Sequence, residues 1–228
     1  MKLLLWDIDG TLLLTAGTGM RAMQQAGQHV LGPAFSFEGI TTSGGVDHLL
    51  YAQAAEQSGF DNHAQHHDSF RDHYVKQLEQ DLRDNPHKLS VMPGIRSLLP
   101  DLVARDDVVV GMVTGNYHAA AKVKLKLARL DPDWFVVTAF SDHGPDRPSL
   151  VQHAINEYHT RFGNGLAPQD IIVIGDTPRD IHCAHANNCT ALAVATGRYS
   201  VDQLQNAGAD TAIQNFDDPT PLYEMINR

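Results

Sequence analysis

Five apolar runs punctuate this sequence, Lys2 to Trp6, Val108 to Val113, Trp134 to Thr138, Ile171 to Ile174 and Ala191 to Ala195, and helix-length segments separate the last four. Runs this short and this rich in Val, Ile and Leu read as strands buried on both faces. Helical patterns between them, such as the one through Arg105, the one opened by Thr114-Gly115-Asn116, Ser149 to Phe162 and the one after Pro178, demand right-handed crossovers. The expected fold is therefore α/β, a doubly wound parallel sheet with helices on both faces.

The stretch from Met20 to about Asp84 breaks this rhythm. It is rich in Gln, His and Ala, carries loops at Gly32-Pro33 and Thr42 to Gly45, and contains no strand-like run. It reads as a small α-helical cap inserted after the first strand, with residues 15–87 as the cap and 1–14 plus 88–228 as the core. A chain of 228 residues, 43% hydrophobic, suits one core domain with a second small one.

Charge narrows the partners. Seventeen Lys and Arg against 27 Asp and Glu leave a net charge of −10, which repels a phosphodiester backbone or an anionic bilayer. The apolar stretch before Asp7 is too short for a secretory segment of ~7–15 apolar residues or a spanning helix of ~20. A cytoplasmic protein without nucleic-acid or membrane partners is expected. Cys183 and Cys189, the only cysteines, read as reduced core thiols.

Ligands of a doubly wound sheet gather at the carboxyl ends of its strands, so polar residues just past apolar runs are the candidates. Asp7 and Asp9 follow the first run, and their spacing with Gly10 lets both carboxylates reach one cavity. Asp176 and Asp180 follow Ile171 to Ile174, with Pro178 placed to start the next helix. Helix capping by Asp176, or a solvated turn at Asp7 and Asp9, is the plainer reading. Carboxylates gathered at one buried sheet edge repel one another unless a cation sits among them, which makes a hard divalent ion the economical explanation. Thr114, Gly115 and Asn116 offer a hydroxyl and free N–H groups at a helix start, an anion-binding arrangement, although Asn116 also suits a simple N-cap. Arg147 could be an ordinary surface arginine, yet beside such a helix end it would complete a phosphate site.

In this order and at these separations, the elements resemble the haloacid dehalogenase (HAD) superfamily of phosphohydrolases, across essentially the whole core. The first motif of that family appears as Asp7-Ile8-Asp9-Gly10-Thr11, the second as Thr114, and the acidic fourth as Gly175-Asp176-Thr177-Pro178-Arg179-Asp180. The third departs, because Arg147 stands where most relatives carry Lys. Thr114-Gly115-Asn116, Lys124-Leu125 and Asp146-Arg147 look like a phosphoglycolate-phosphatase-like branch. The resemblance implies a Rossmann-like core and a Mg²⁺-dependent phosphomonoesterase acting on a small, phosphoglycolate-like metabolite, as a monomer or small homo-oligomer. It implies Asp7 as nucleophile, Asp9 as acid and then base, and Thr114 and Arg147 as the grip on the phosphoryl oxygens. It also implies Asp7, Asp9 (through its carbonyl) and Asp176 as metal ligands, with Asp180 behind them. The dehalogenases of the superfamily lack the second aspartate, having no leaving alkoxide to protonate. A sugar-phosphate mutase of the same fold is the alternative, followed by a non-catalytic phosphate-binding module.

Three further features have readings of their own. Thr15 to Gly19 is glycine-rich but lacks the Gly-Lys-Ser/Thr ending of a phosphate loop, so it reads as a hinge into the cap. His63, His66, His67 and His73 approach a helical metal-binding spacing, although a solvated cap surface explains them better. Ile40 to Leu50 resembles the substrate-facing cap segment of the same family.

Overall fold

In the computed structural model, which describes residues 1–163 and 165–228, the first apolar run is strand β1 (Lys2–Trp6), followed by the two-residue β2 (Leu13–Leu14). Helices α1 (Thr18–Leu31), α2 (Asp47–Gln57) and α3 (His67–Asp84) come next, then β3 (Ser90–Val91) and α4 (Ile95–Val103). The remainder alternates strictly: β4 (Val108–Val113), α5 (His118–Leu127), β5 (Val137–Ala139), α6 (Arg147–Phe162), β6 (Ile171–Gly175) and α7 (Pro178–Ala186). It closes with β7 (Thr190–Val194), α8 (Val201–Asn206), β8 (Thr211–Ile213) and α9 (Thr220–Ile226).

Six strands form one parallel sheet in the order β5-β4-β1-β6-β7-β8. The α/β, doubly wound architecture expected from the sequence is thus observed. The chain winds outward from β1 through β4 to β5, then returns to the far side of β1 to lay down β6, β7 and β8. The winding reverses at β1, and the carboxyl end of that strand is where such a sheet opens a crevice.

Strand side chains alternate between faces, and the core divides accordingly. Leu4, Trp6, Val108, Val110, Met112, Ile172 and Ile174 pack under α4, α5 and α9, while Leu3, Leu5, Val109, Val113, Ile171 and Val173 pack under α6, α7 and α8. Burial on both faces is why these strands read as continuous apolar runs rather than alternating ones.

Helices α1 to α3 build a separate apolar cluster from Met23, Phe35, Tyr51, Phe70, Tyr74 and Leu78, with Tyr51 and Phe70 stacked at 4.1 Å. Tyr117 and Ala120, at the start of α5, belong to the same cluster and form its seat on the sheet domain. Strands β2 and β3 pair antiparallel, Leu13 with Val91, where the helical segment leaves and rejoins.

Several elements differ from the sequence reading. The third strand is Val137–Ala139 rather than Trp134 to Thr138, because Pro132 starts a 3₁₀ turn that takes up Trp134, with Asp131 accepting the Asp133 N–H at 3.0 Å. Strand β8 at the sheet edge and helices α8 and α9 were not anticipated, and neither was the β2–β3 pair. Cys183 and Cys189 are free and buried, as expected.

Candidate active site

The ends of β1 and β6 lie side by side, and their carboxylates converge there. Asp7 leaves β1 with its N–H donating to Ile174 O at 2.9 Å, and its side chain is buried. Asp9 follows on the turn, its side chain 40% exposed. Gly10 makes this possible, with φ +83° and a Cβ position only 2.3 Å from Asp176 Oδ2, so any side chain there would displace the third carboxylate. Asp180, in the first turn of α7, accepts the Thr177 N–H at 3.0 Å and the Thr177 hydroxyl at 2.7 Å. Capping of α7 therefore falls to Thr177 and Asp180, and Asp176 is not the cap.

Arg147 is the first residue of α6, behind the N-cap Asp146, which accepts the Ser149 N–H at 2.8 Å. It is buried, not a surface arginine. Its Nη2 lies 2.9 Å from Asp7 Oδ2 and also pairs with Asp180, while Nη1 donates to Gly44 O at 3.2 Å. Fork geometry lets one guanidinium join two strand ends and the inserted segment, which a lysine could not do.

Burial pushes the Asp7 carboxyl up to about 6, against the lowering pull of Arg147 and with Asp180 and Asp9 adding repulsion. Asp176 is raised to about 8, again mainly by burial and then by Asp180 and Asp7. Asp176 Oδ1 is buried without a hydrogen-bond partner, and Asp7, Asp176 and Asp180 each present an oxygen within 4.8 Å of the others. Among the described residues these are the only three acidic, histidine or cysteine side chains grouped so. An orphaned carboxylate oxygen in an all-oxygen group fits a hard divalent cation such as Mg²⁺. Asp180 is engaged on both oxygens, by Arg147 and by Thr177, whereas Asp176 Oδ1 has no partner and Asp7 is paired through Oδ2 to Arg147 alone.

Thr114 directly follows β4 and is fully buried, with its Oγ1 accepting the Asn116 side-chain amide at 2.9 Å. Gly115 and Asn116, not Thr114, form the cavity wall. Helix α5 starts at His118 with Tyr117 before it, so Asn116 is not the N-cap. Its amide instead reaches Asp9 Oδ2 at 2.8 Å, and Lys124 Nζ meets the same oxygen at 2.5 Å.

The segment Thr42 to His48 lies over these loops, as the sequence suggested for Ile40 to Leu50. Asp47 accepts the Tyr117 N–H at 2.9 Å and donates its own N–H to Gly115 O at 2.7 Å, in effect capping α5 from outside. Burial lifts the Asp47 carboxyl to about 7. His48 N–H donates to Ser141 Oγ at 3.1 Å. Beneath lies a cavity of about 400 Å³ reached by Asp7, Asp9, Asp47, Tyr74, Lys124 and Arg147.

Lys124, Asp47 and Tyr74 were absent from the sequence-derived site. Lys124 sits two helical turns beyond Asn116, a periodicity that returns it to the cavity side of α5; the sequence pointed to it only through the Lys124-Leu125 pair of the family resemblance, without a role. The histidines do not converge: His67 Nε2 is 2.7 Å from the Tyr117 hydroxyl, and His73 lies stacked on His29 at 4.2 Å.

The family model for haloacid dehalogenase-like hydrolases matches residues 4–194, most of the chain and every element that supplies these side chains. The chain belongs to that family. Among its HAD relatives is a phosphoglycolate phosphatase from Chromobacterium violaceum, 22% identical over 99% of this chain and 96% of its own length. A hydrolase from Pseudomonas syringae shares the fold with a TM-score of 0.72 at 19% identity, each chain covered to 98%. A β-phosphoglucomutase from Clostridium difficile superposes with a TM-score of 0.71 at 18% identity, covering 100% of this chain and 97% of its own. Membership assigns the HAD fold and a hydrolase family.

Proposed function

We propose that the chain is a phosphomonoester hydrolase that works on a small phosphorylated metabolite through an aspartyl-phosphate on Asp7. One observation carries the reading: buried Asp7, aligned by Arg147 at 2.9 Å, stands beside half-exposed Asp9 in one cavity that Lys124 and Asp176 also line. A nucleophile, a proton carrier and a fixed cation in one cavity are the parts that phosphoryl transfer to a carboxylate requires.

In this reading an Asp7 oxygen attacks phosphorus, and the ester P–O bond breaks as the new O–P bond forms. Asp9 gives its proton to the departing alkoxide and then takes one from the water that attacks the acyl phosphate, restoring Asp7. Arg147 meets charge on the phosphoryl oxygens, with Gly115 and Asn116 lining the wall beside it and the buried Thr114 hydroxyl holding the Asn116 amide from behind. Mg²⁺, when held by Asp7, the Asp9 carbonyl and Asp176 with Asp180 behind, supplies neutralisation of the negative charge shared by phosphate and carboxylates. Residues 15–87 act as a cap that excludes water and sets the substrate, leaving 1–14 and 88–228 as the catalytic core.

The relative named as a phosphoglycolate phosphatase makes phosphoglycolate the first compound to try. Among the described residues no helix is long and apolar enough to cross a membrane. The net charge of −10 argues against nucleic acid as a partner. The test is phosphate release from a panel of phosphorylated metabolites with Mg²⁺ or chelator. Metal-dependent release is expected. Transfer of phosphate from a sugar bisphosphate to a sugar faster than its release would replace the hydrolase by a mutase, and silence with retained phosphate binding would replace it by a binding module.

A further inference from the structure

We infer that Lys124 is a positioning residue for Asp9: it locks the proton-carrying carboxylate in the orientation that serves the leaving group. The inference rests on the hydrolase reading above and adds a residue to it.

Helix α5 carries three lysines at alternate positions. Lys122 and Lys126 are exposed, whereas Lys124 turns inward with its side chain 4% exposed. Burying an ammonium is costly unless it is paired and fully hydrogen-bonded, so its partners identify its task. Lys124 Nζ lies 2.5 Å from Asp9 Oδ2 and also donates to Asn116 Oδ1. Asn116 in turn donates to the same Asp9 oxygen at 2.8 Å and to Thr114 Oγ1 at 2.9 Å. The ammonium thus holds Asp9 directly and also holds the amide that holds Asp9.

Both donors converge on Oδ2. Among the described residues no donor reaches Asp9 Oδ1, so one oxygen is anchored and the other is free to carry the proton. Asp9 sits on a turn with its side chain 40% exposed, and among the described residues Lys124 and Asn116 alone bond its carboxylate. Without the anchor the carboxylate samples several rotamers, and a displacement of about 1 Å from the reacting geometry can cost ~10²-fold in rate. Asp7 and Asp180 take their cation from Arg147, not from Lys124, so the two cations divide the site: one aligns the nucleophile, the other the acid.

The division gives a leaving-group signature. An alkyl phosphate expels a basic alkoxide and needs a well-placed acid, whereas p-nitrophenyl phosphate expels a stable phenolate that needs little help. Lys124→Met and wild type are compared by kcat/KM, which counts only steps up to loss of the leaving group. For an aliphatic substrate from the panel a fall of about 10²-fold is expected, and for p-nitrophenyl phosphate a fall of less than about threefold. Lys124→Gln, which keeps a donor of shorter reach, should show the same split and stands in if the methionine variant does not fold. Equal falls for both substrates would make Lys124 a phosphate-binding or purely structural cation, and no fall would make the contact idle. Either outcome overturns the assignment while leaving the hydrolase reading intact. Wild-type protein inactive on both esters overturns that reading and the role of Lys124 with it.

Discussion

Arg147 Nη2 lies 2.9 Å from Asp7 Oδ2, and the same nitrogen pairs with Asp180, so one buried guanidinium spans the carboxyl ends of β1 and β6. Its other amino group donates to Gly44 O in the inserted segment. The residue that would grip phosphate therefore also ties the sheet to the inserted segment.

Replacing it separates these duties. Arg147→Ala leaves two buried carboxylates without their cation and should destabilise the protein by about 3–5 kcal/mol. Arg147→Lys keeps the charge but cannot reach Asp7, Asp180 and Gly44 together, so it should fold and yet lose at least about 10-fold in kcat/KM. Thermal unfolding together with steady-state kinetics on both variants checks the pair. An Arg147→Lys enzyme of full activity would show that charge alone suffices.

The buried carboxylates of the site couple stability to pH. Burial first, then mutual repulsion, raises Asp176 to about 8 and Asp7 to about 6. In the unfolded chain both sit near 3.8. Between those limits the folded state binds more protons than the unfolded one, so stability is full below about 4 and is lost as pH rises toward 8. Metal-free protein should thus melt at a lower temperature at pH 8 than at pH 6 on this account. A divalent ion competes with those protons, and Mg²⁺ should raise the melting temperature more at pH 8 than at pH 6. Melting curves with EDTA or Mg²⁺ at the two pH values decide it, and a Mg²⁺ effect independent of pH would contradict it.

Asp9→Asn should slow turnover by about 10²-fold or more without abolishing Mg²⁺ binding, since the backbone carbonyl stays in place. Calorimetric Mg²⁺ titration beside kinetics separates the two effects. Unchanged turnover would remove Asp9 from the acid and base roles.

Gly115 is where the inserted segment touches the core backbone: a Cβ there would lie 1.9 Å from Gly45 O. Gly115→Ala should push the Thr42 to Asp47 loop off its seat, break the Asp47 contact with Tyr117 N–H and lower kcat/KM by at least about 10-fold, because the cavity no longer excludes water. Faster hydrogen exchange at Tyr117 in the variant would report the same displacement directly.

Much of this arrangement was legible in the sequence because polar residues that follow buried strands must lie at the carboxyl edge of the sheet. That rule brought Asp7, Asp9, Asn116 and Asp176 together before any coordinates, and the doubly wound pattern ordered their strands. Lys124 escaped that rule: Lys124-Leu125 entered the family resemblance, but inside Lys122-Val123-Lys124-Leu125-Lys126 nothing gave it a place in the site until the sheet showed which side α5 turns inward. Asp47 escaped for a different reason. The N–H that it caps belongs to α5, 70 residues away. Strand β8 has three residues and the β2–β3 pair two each, too short for any periodicity to register. At β5 the apolar run was seen, but the Pro132 turn claimed its first residues.

The central claim is that Asp7 becomes phosphorylated. Rapid acid quenching during turnover with Mg²⁺, followed by borohydride reduction and peptide mass spectrometry, converts an acyl phosphate to a stable alcohol at the residue that carried it. The account predicts conversion of Asp7 to homoserine, dependent on substrate and absent in Asp7→Asn. Reduction at another carboxylate, or phosphate release undiminished in Asp7→Asn, would contradict it.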